Sequence, residues 1–488
     1  MSALHSVTGT NSLAELQRMA WQLTGITVDS RQVKPGMAFA AYPGAARDGR
    51  NYIAAAIAAG ATAILWETEN YIWPTEWQSV PNLPVSGLKT QLGEIAAHIY
   101  GYPSRALWTI GVTGTNGKTS CTQWIAQILT QLSRKAAVIG TLGNGFPPDL
   151  DYVGNTTPDA ALLQQSLRSY RDAGAAAAVI EVTSHGLDQG RVNGVEFDVA
   201  VLTNLTRDHL DYHGTMENYA AAKARLFDWP NLRHAVLNLD DEFGLKLAAR
   251  ALPLAVQQVG YGFSAGEVRG SELQLLPDGL AMRVDTAWGR AELRSALLGR
   301  FNAHNLLATL ATLLVSGVAL DDAVQGLNKV TAPPGRMQTV GGGERPLVIV
   351  DYAHTPDALE KVLVCLREIT PTGRLWCVFG CGGERDSGKR ALMGTIAERL
   401  ADKVLVTSDN PRSESPAIIA AEICAGIKGG ATVQLDRAAA ITQAVAAAQA
   451  GDIVLIAGKG HENYQEIAGV KYAFEDISVA RLALESRL

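Results

Sequence analysis

Short runs of almost uninterrupted apolar residues recur along this 488-residue chain, and segments with helical spacing of apolar residues separate them. Examples are the runs at 175–182, 199–202 and 453–457. A strand that is apolar at nearly every position is covered on both faces, which is typical of a parallel sheet packed between helices. The sequence therefore predicts an α/β fold with mostly parallel sheets.

Polar clusters follow several of these runs directly. In the last third of the chain they occupy residues 351–356, 409–412 and 458–462. In open α/β sheets, ligands bind beyond the carboxyl ends of the strands. We therefore expect the residues of a binding or catalytic site at these strand ends.

Proline and glycine breaks divide the chain into three predicted domains. A helical pattern at 89–100 stops just before Pro103, and a Pro-Pro-Gly run occupies 333–335. Proline shortly after a helical pattern is a stop signal, so we expect a domain boundary at each place. The predicted domains cover residues 1–103, 104–334 and 335–488.

The local pattern also predicts individual elements. Helices are expected at 52–60, 121–132 and 302–318. The Pro- and Trp-rich stretch 73–84 is expected to be an irregular loop. In the stretch 258–298 apolar and polar residues alternate, which predicts antiparallel strands.

Composition and charge exclude several classes of protein. The net charge of −6 and the lack of a Lys/Arg-rich run argue against a nucleic-acid partner. The apolar runs are too short to span a membrane and residues 1–16 do not resemble a signal peptide, so a cytoplasmic protein is expected. The five cysteines are odd in number and favour reduced thiols over a disulfide framework. Cys377 and Cys381 have no second Cys or His pair at zinc spacing, so no zinc site is expected.

The strongest local motif is the glycine-rich stretch 111–120, GVTGTNGKTS, between an expected strand and an expected helix. Its glycines let backbone N–H groups turn toward phosphate oxygens, and the helix start adds a favourable dipole. Lys118 would reach the outer phosphates, and the Thr119 hydroxyl would face Mg²⁺. The general P-loop pattern has glycine where Val112 stands, so a plain glycine-rich turn is the alternative interpretation.

Several motifs, in this order along the chain, resemble those of the Mur ligases, cytosolic enzymes that add amino acids to the peptidoglycan precursor. They are Gly-Thr-Asn-Gly-Lys-Thr at 114–119, Asn-Thr-Thr-Pro at 155–158, Glu-Val-Thr-Ser-His at 181–185, the stretch 203–214, Asp-Tyr-Ala-His-Thr-Pro at 351–356, Asp-Asn-Pro-Arg at 409–412 and Gly-Lys-Gly-His-Glu at 458–462. The resemblance covers essentially the whole chain. One departure is Thr183, where the family commonly has serine, and the hydroxyl is retained.

The resemblance implies an N-terminal UDP-substrate domain, a central P-loop-like ATP-binding domain and a C-terminal Rossmann-like domain for the amino acid. It implies an ATP-dependent ligase that forms an amide bond through an acyl phosphate. The implied reaction adds meso-2,6-diaminopimelate to UDP-N-acetylmuramoyl-L-alanyl-D-glutamate in peptidoglycan precursor synthesis. The implied cofactors are ATP, Mg²⁺ and a CO₂-derived carbamate on Lys223, and the enzyme is expected to act as a monomer.

The same resemblance implies roles for individual residues. Catalysis is assigned to Lys118, Glu181, His209 and Lys223, and metal binding to Thr119, Glu181, His209 and carbamylated Lys223. ATP binding is assigned to Gly114, Thr115, Asn116, Gly117, Lys118, Thr119, Ser120, Asn302, His304, Arg336 and Asp351. UDP-substrate binding is assigned to Val28, Ser30, Ala45, Ala46, Arg47, Asn155, Thr156, Thr157, Thr183, Gln189 and Arg191. Amino-acid binding is assigned to Arg385, Asp409, Asn410, Pro411, Arg412, Gly458 and Glu462.

Three of the catalytic candidates also have ordinary structural interpretations. Glu181 could be a solvated carboxylate at a strand end, and a lone His209 is more often a structural hydrogen-bonding group than a ligand. Lys223 lies in an expected helix, where lysine is normally solvated, yet no acid stands three or four residues away. A lysine among apolar neighbours loses its proton more readily.

Arginines are the expected determinants of amino-acid choice. Diaminopimelate differs from lysine by a second charged end that carries a carboxylate, and a planar guanidinium binds a carboxylate through two hydrogen bonds. Arg412 and Arg385 are the candidates, and Glu462 would pair with the ammonium group at that end. A capped Asx-Pro turn is the structural alternative for residues 409–412.

Two other enzymes and one non-enzyme remain as alternatives. A lysine-adding Mur ligase and a folylpolyglutamate synthetase are both disfavoured by the 409–412 motif and by the additional first domain. A nucleotide-gated switch would hydrolyse ATP alone, whereas a ligase releases phosphate only when both other substrates are present.

Overall fold

The computed structural model describes residues 12–19, 21–44, 47–250, 255–276, 278–370 and 372–486. The chain forms two compact units, one of residues 1–267 with 311–317 and one of residues 268–310 with 318–488. The three domain ranges expected from the sequence stay a prediction.

The first unit holds the elements up to β12 and α9. Its strands are β1 (Gly25–Thr27), β2 (Met37–Ala41), β3 (Ala63–Glu67), β4 (Asn82–Val85), β5 (Trp108–Thr113), β6 (Ala136–Gly140), β7 (Gly143–Phe146), β8 (Asp149–Asp151), β9 (Ala177–Glu181), β10 (Val199–Leu202), β11 (His234–Asn238) and β12 (Gln257–Gly262). Its helices are α1 (Ser12–Met19), α2 (Ile53–Ala58), α3 (Leu88–Ile99), α4 (Lys118–Gln131), α5 (Ala160–Asp172), α6 (Ser184–Asp188), α7 (Leu210–His213), α8 (Met216–Ala224) and α9 (Glu242–Ala249).

Two sets of parallel strands organise this unit. Strands β1 to β4 pair in chain order, all parallel. The other set runs β12-β11-β10-β5-β9-β6 in parallel, and β7 and β8 extend it by antiparallel pairing. Thr113 lies opposite Leu202, and Val112 lies opposite Glu181. The segments that follow β5, β10 and β9 therefore leave the sheet at one edge.

The second unit holds the later elements. Its strands are β13 (Val268–Leu276), β14 (Gly279–Thr286), β15 (Gly289–Ser295), β16 (Gln338–Gly341), β17 (Leu347–Asp351), β18 (Leu375–Phe379), β19 (Lys403–Val406), β20 (Thr432–Val433), β21 (Ile453–Ala457), β22 (Tyr464–Ile467) and β23 (Val470–Ala473). Its helices are α11 (Leu320–Leu327), α12 (Pro356–Ile369), α13 (Gly388–Leu400), α14 (Pro416–Cys424), α15 (Arg437–Ala447) and α16 (Asp476–Glu485), while α10 (Arg300–Val315) has residues in both units. Across the described ranges, no helix is both long enough and apolar enough to cross a membrane.

A six-stranded sheet forms the centre of the second unit. Its order is β16-β17-β21-β18-β19-β20, and all pairs are parallel except β16 with β17. Ala457 lies opposite both Asp351 and Phe379, and Phe379 lies opposite Val406. The carboxyl ends of these four strands are therefore level at one edge of the sheet.

Both faces of this sheet are buried, as the apolar runs predict. Ile349, Cys377 and Leu455 pack on one face with side chains from α12, α13 and α14. Their neighbours in the strands, such as Val348 and Trp376, pack on the other face with side chains from α15 and α16. Successive side chains of a strand point to opposite faces, so an all-apolar strand fits only between two layers of helices.

The predicted α/β fold with mostly parallel sheets is confirmed, and three local predictions need correction. Residues 73–84 are not wholly irregular, because strand β4 begins inside them as the last strand of its sheet, where its proline is tolerated. Strands β13 to β15 are antiparallel as expected, but β12 pairs parallel with β11 after the crossover through α9. Helix α4 begins at Lys118 rather than at Cys121, because the left-handed Gly117 directly precedes it.

Candidate active site

The expected phosphate loop joins β5 to α4 in the first unit. Gly114 has a φ of 147°, and a Cβ atom there would lie 1.9 Å from Thr203 Oγ1, so the loop requires glycine at this position. Gly117 has a φ of 86° and turns the chain directly into α4. The unpaired N–H groups at the start of α4, which include those of Thr119 and Ser120, therefore lie beside the loop.

Thr203 and Asn204, which follow β10, hold the loop from the neighbouring strand. The Asn116 N–H donates to Asn204 Oδ1 at 3.0 Å, and Asn204 Nδ2 donates to the Asn116 carbonyl at 3.0 Å. The Thr203 hydroxyl donates to the same carbonyl at 2.6 Å. Sequence reasoning included both residues in a motif but gave them no role. Their place after an apolar strand was the signal.

Two lysines converge on one carbonyl of the loop. Lys118 Nζ donates to the carbonyl oxygens of Gly114 and Thr115, both at 2.9 Å. Lys223 Nζ donates to the same Gly114 oxygen at 2.8 Å, although the two residues are 109 positions apart. The structure therefore brings Lys223 to the phosphate loop, as its expected catalytic role requires.

Lys223 is buried rather than solvated, with only 1% of its surface exposed. It lies on the inner face of α8, and its Nζ is 4.6 Å from the centre of the Tyr219 ring. The Tyr219 hydroxyl is in turn 3.2 Å from Thr115 Oγ1 in the phosphate loop. Burial, and then the nearby Lys118 cation, holds the pKa of Lys223 well below the usual 10.5. This shift favours the neutral amine more than in an exposed lysine.

Glu181, at the end of β9, is fully buried rather than a solvated strand end. Its Oε2 accepts hydrogen bonds from the hydroxyls of Thr119 and Thr141, each at 3.0 Å. Its Oε1 accepts the Thr141 N–H at 2.9 Å, and a Cβ atom at Gly140 would lie only 2.3 Å from Oε1. Sequence reasoning missed Thr141, although it is the first polar residue after the apolar strand β6.

These oxygen atoms fit a hard divalent cation. Mg²⁺ prefers oxygen ligands and keeps several waters, and a carboxylate beside the Thr119 hydroxyl of a phosphate loop is a typical donor set. Among the described residues, no group of three or more His, Cys, Asp or Glu side chains is placed to hold a metal ion. Mg²⁺ is commonly held by one or two carboxylates together with phosphate oxygens and water, and Glu181 with Thr119 would supply the protein's part.

His209 lies in a cluster of aromatic side chains that includes His185 and Tyr219. Its ring centre is 4.8 Å from that of His185 and 6.0 Å from that of Tyr219, and its Nε2 is 3.4 Å from Asp208 Oδ2. Burial first, and then the neighbouring His209 and His213, lowers the pKa of His185 to about 4. Tyr219 therefore connects the His209 cluster to the phosphate loop.

Most residues expected to hold the muramoyl-peptide side converge next to Glu181. The Thr157 hydroxyl donates to the Glu181 carbonyl at 2.8 Å and lies 3.0 Å from the Thr183 hydroxyl. Arg191 donates twice to Gln189 Oε1, at 3.0 and 2.8 Å, and once to the Thr157 carbonyl at 2.8 Å. Thr156 joins them, with its hydroxyl 3.0 Å from that of Thr141.

The other residues expected to bind the UDP substrate are less tightly held. Val28 and Ser30 flank Asp29, which caps a short 3₁₀ helix, and both are partly exposed. Arg47 and Asn155 are exposed. Ala45 and Ala46 lie outside the described residues, so their expected role stays a prediction.

The second unit contains four of the residues expected to bind ATP. Asn302 and His304 lie in the first turn and a half of α10, where Asn302 Nδ2 donates to the Leu298 carbonyl at 2.9 Å. Asn302 is thus inside the helix and not at its N-cap. Both oxygens of Asp351 accept backbone N–H groups, from Met337 and from Ala353, each at 2.8 Å, and burial raises its pKa. The Arg336 guanidinium stacks 4.7 Å from the centre of the Tyr352 ring.

The two arginines expected to bind the amino-acid substrate lie beside the same glycine. A Cβ atom at Gly382 would lie 3.1 Å from Arg412 Nη1 and 3.6 Å from Arg385 Cγ. Arg412 Nη1 donates to the Gly383 carbonyl at 2.6 Å, and the Gly383 N–H donates to the Asn410 carbonyl at 2.9 Å. The loops after β18 and β19 are therefore joined, with the Arg412 guanidinium and the Arg385 side chain beside Gly382.

The loop after β21 completes this cluster. Asn410 Nδ2 donates to Glu462 Oε2 at 2.7 Å. Gly458 has a φ of 112°, and a Cβ atom there would lie 2.6 Å from Asp409 Oδ2. Pro411 is buried between Asn410 and Arg412. Two cationic groups and a carboxylate thus lie along one sheet edge, an arrangement that suits a ligand with carboxylate and ammonium groups.

Models of known protein families match three stretches of the chain. Residues 22–100 match the model of the Mur ligase family catalytic domain, and residues 112–313 match that of the Mur ligase middle domain. Residues 335–460 match the Mur ligase glutamate ligase domain.

Individual relatives match along nearly the whole chain. The UDP-N-acetylmuramoyl-L-alanyl-D-glutamate–2,6-diaminopimelate ligase of Chromobacterium violaceum is 54% identical over an alignment of 474 residues and covers 96% of each chain. The protein of the same name from Nitrosomonas europaea is 50% identical and covers 96% of this chain and 94% of its own. A solved structure of a ligase of that name matches with a TM-score of 0.70 at 40% identity over 95% of each chain. The chain therefore belongs to the Mur ligase family.

Proposed function

We propose that this chain is the ATP-dependent ligase that joins meso-2,6-diaminopimelate to UDP-N-acetylmuramoyl-L-alanyl-D-glutamate in peptidoglycan precursor synthesis. The observation that carries the proposal is that Arg385 and Arg412 lie beside one glycine, in loops that Asn410 joins to Glu462. The same chain has a phosphate loop with a buried lysine against it. Relatives named for this reaction are 54% and 50% identical to the chain. We also propose a monomer as the working unit and the cytoplasm, with its ATP, as the location.

The phosphate loop serves the first chemical step. A carboxylate is a poor electrophile, so one of its oxygens first attacks the γ-phosphorus of ATP, which gives an acyl phosphate and ADP. Lys118 and the N–H groups at the start of α4 hold the phosphate oxygens on which negative charge is spread. Thr157, Thr183 and Arg191 would orient the peptide carboxylate for this attack.

The amine of the incoming amino acid then attacks the acyl carbon. The tetrahedral intermediate collapses, phosphate leaves with the bonding electron pair, and the nitrogen loses a proton to give the amide. Arg385, Arg412 and Glu462 would orient the amino acid for this attack.

Mg²⁺ and a carbamate on Lys223 complete the proposed site. Thr119 and Glu181 would hold one Mg²⁺. His209 and carbamylated Lys223 would help to hold a second Mg²⁺. Bound Mg²⁺ supplies neutralisation of phosphate charge. CO₂ reacts with a neutral amine, and the lowered pKa of Lys223 favours that form. Carbamylation would turn the amine into a carboxylate.

A substrate-omission assay tests the proposed reaction. Phosphate release is measured with ATP and the UDP-dipeptide, and with diaminopimelate, lysine or glutamate as the amine. We expect release only with diaminopimelate, at one phosphate per amide formed. Phosphate release from ATP alone would indicate a nucleotide switch, and equal use of lysine would favour a lysine-adding ligase.

Thr141→Val tests the newly identified partner of Glu181. The substitution keeps the size of the side chain but removes a hydroxyl that donates to a buried carboxylate. A hydrogen bond to a charged group contributes about 1.5–3 kcal/mol, so kcat/KM for ATP should fall roughly 10- to 100-fold. Thr122→Val is the matched control, because the Thr122 hydroxyl donates to the Thr119 carbonyl inside α4 instead. Equal effects of the two substitutions on kcat/KM would show that Thr141 has no special role.

A further inference from the structure

Lys459 is a fully buried cation in the second unit, and none of the roles above uses it. Its exposed surface is 0%, and it stands between Gly458 and Gly460 directly after β21. Lysine is almost never fully buried unless it is paired. The partners of its ammonium group therefore indicate why it is there.

The three N–H donors of this ammonium have three acceptors. Nζ donates to Asn410 Oδ1 at 3.1 Å, to Glu462 Oε2 at 3.0 Å and to the Tyr464 carbonyl at 2.5 Å. An ammonium group has three donors, so these contacts use all of them. Lys459 therefore acts on its neighbours and keeps no donor for a ligand.

Two of these neighbours, Asn410 and Glu462, are expected to bind the amino acid. Asn410 Nδ2 donates to Glu462 Oε2 at 2.7 Å, which closes a triangle of hydrogen bonds with Lys459. Asn410 Oδ1 also accepts the Glu466 N–H at 2.9 Å. Within the described residues, the hydrogen bonds to the Glu462 carboxylate both fall on Oε2. This arrangement fixes the direction of the carboxylate and leaves Oε1 for a ligand ammonium group.

We propose that Lys459 is a positioning residue for amino-acid binding, which it supports through Glu462 and Asn410. This inference rests on the proposed function. A carboxylate whose orientation is fixed before binding loses less conformational entropy when it binds an ammonium group. Lys459 Nζ contacts Glu462 Oε2 at 3.0 Å, so this carboxylate oxygen already has its partner before a ligand binds.

The test is Lys459→Met, which keeps an unbranched apolar stem and removes the ammonium group. We expect the KM for diaminopimelate to rise about tenfold or more, because hydrogen bonds to a charged group are lost. The KM values for ATP and for the UDP-dipeptide should change by less than about twofold. Lys471→Met is the matched control, since exposed Lys471 lies 4.1 Å from the Tyr464 ring centre and should change none of the three.

A double-mutant cycle separates positioning from a general loss of stability. If Lys459 acts through Glu462, Lys459→Met should add little to the effect of Glu462→Gln on the KM for diaminopimelate. Fully additive effects, or an unchanged KM in the single variant, would overturn the inference. If Lys459→Met does not fold, Lys459→Gln is measured with the same expectation. If the wild type uses another amino acid, the proposed function is wrong. The role of Lys459 is then tested by comparing the KM for that amino acid between the wild type and Lys459→Met.

Discussion

Replacing Lys223 with alanine is expected to lower the rate of ligation by roughly 10²- to 10³-fold, the loss typical when one stabiliser of transition-state charge is removed. A small carboxylic acid such as formate or acetate should restore part of that rate. The buried Nζ lies 2.8 Å from the Gly114 carbonyl, so the substitution empties a space beside the phosphate loop. A small carboxylate entering that space would replace the proposed carbamate.

The carbamate has signatures beyond the rate of the variant. Enzyme freed of CO₂ should lose activity and regain it with bicarbonate. Labelled ¹³CO₂ should give a carbamate carbon signal in the wild type that Lys223→Ala lacks. The fraction of neutral amine rises with pH, and the lowered pKa of Lys223 shifts that rise toward neutral pH, whereas an exposed lysine remains charged.

Lys246→Ala is the matched control for loss of a lysine. Lys246 is exposed on α9 and pairs with Glu242 at 2.7 Å. Such a surface pair contributes little, so activity and thermal stability should hardly change. A wild type that is fully active with an unmodified Lys223 would show that the carbamate is wrong, even if the alanine variant is inactive.

The phosphate loop and the strand ends could be predicted from the sequence because both are local patterns. Gly114 and Gly117 indicate a turn by themselves, and apolar runs that end in polar clusters indicate the edge of a parallel sheet. The registers then place Asp351, Ala457 and Phe379 level with one another, which puts the clusters together.

The burial of Lys223 and of Glu181 could not be predicted in the same way. The local sequence of α8 does not indicate that Lys223 is buried. Its contact with the Gly114 carbonyl joins residues that are 109 positions apart. The buried Glu181 carboxylate is hydrogen-bonded by Thr119 in α4 and by Thr141 just after β6. Such contacts exist only after the sheet has formed, so spacing along the chain does not reveal them.

Arg412→Ala is expected to lower kcat/KM for diaminopimelate about 10²-fold or more and to leave the KM values for ATP and the UDP-dipeptide almost unchanged. Arg412 is proposed to bind the distal carboxylate of diaminopimelate together with Arg385. Its Nη1 donates to the Gly383 carbonyl at 2.6 Å, and its Nε is 3.6 Å from Glu466 Oε2. These contacts hold the guanidinium plane in place for a second, carboxylate partner.

Selectivity separates recognition from support of the loop. Lysine has no distal carboxylate, and a site built around a polar group rejects an analogue without it by about 10⁴-fold or more. Arg412→Ala should reduce the ratio of kcat/KM for diaminopimelate to kcat/KM for lysine. The substitution removes a contact that only diaminopimelate makes. Arg412 has a φ of 51°, and alanine carries the same Cβ atom, so the substitution adds no backbone strain of its own.

Two further variants make the measurement decisive. Arg412→Lys keeps the charge but loses the planar pair of donors, so it should recover only part of kcat/KM for diaminopimelate. Arg399→Ala removes an exposed arginine that pairs with Glu360 in the same unit, and it should change neither amino acid's kcat/KM. If Arg412→Ala lowers kcat/KM for both amino acids equally, Arg412 only supports the loop, because loss of a contact with the distal carboxylate cannot affect lysine.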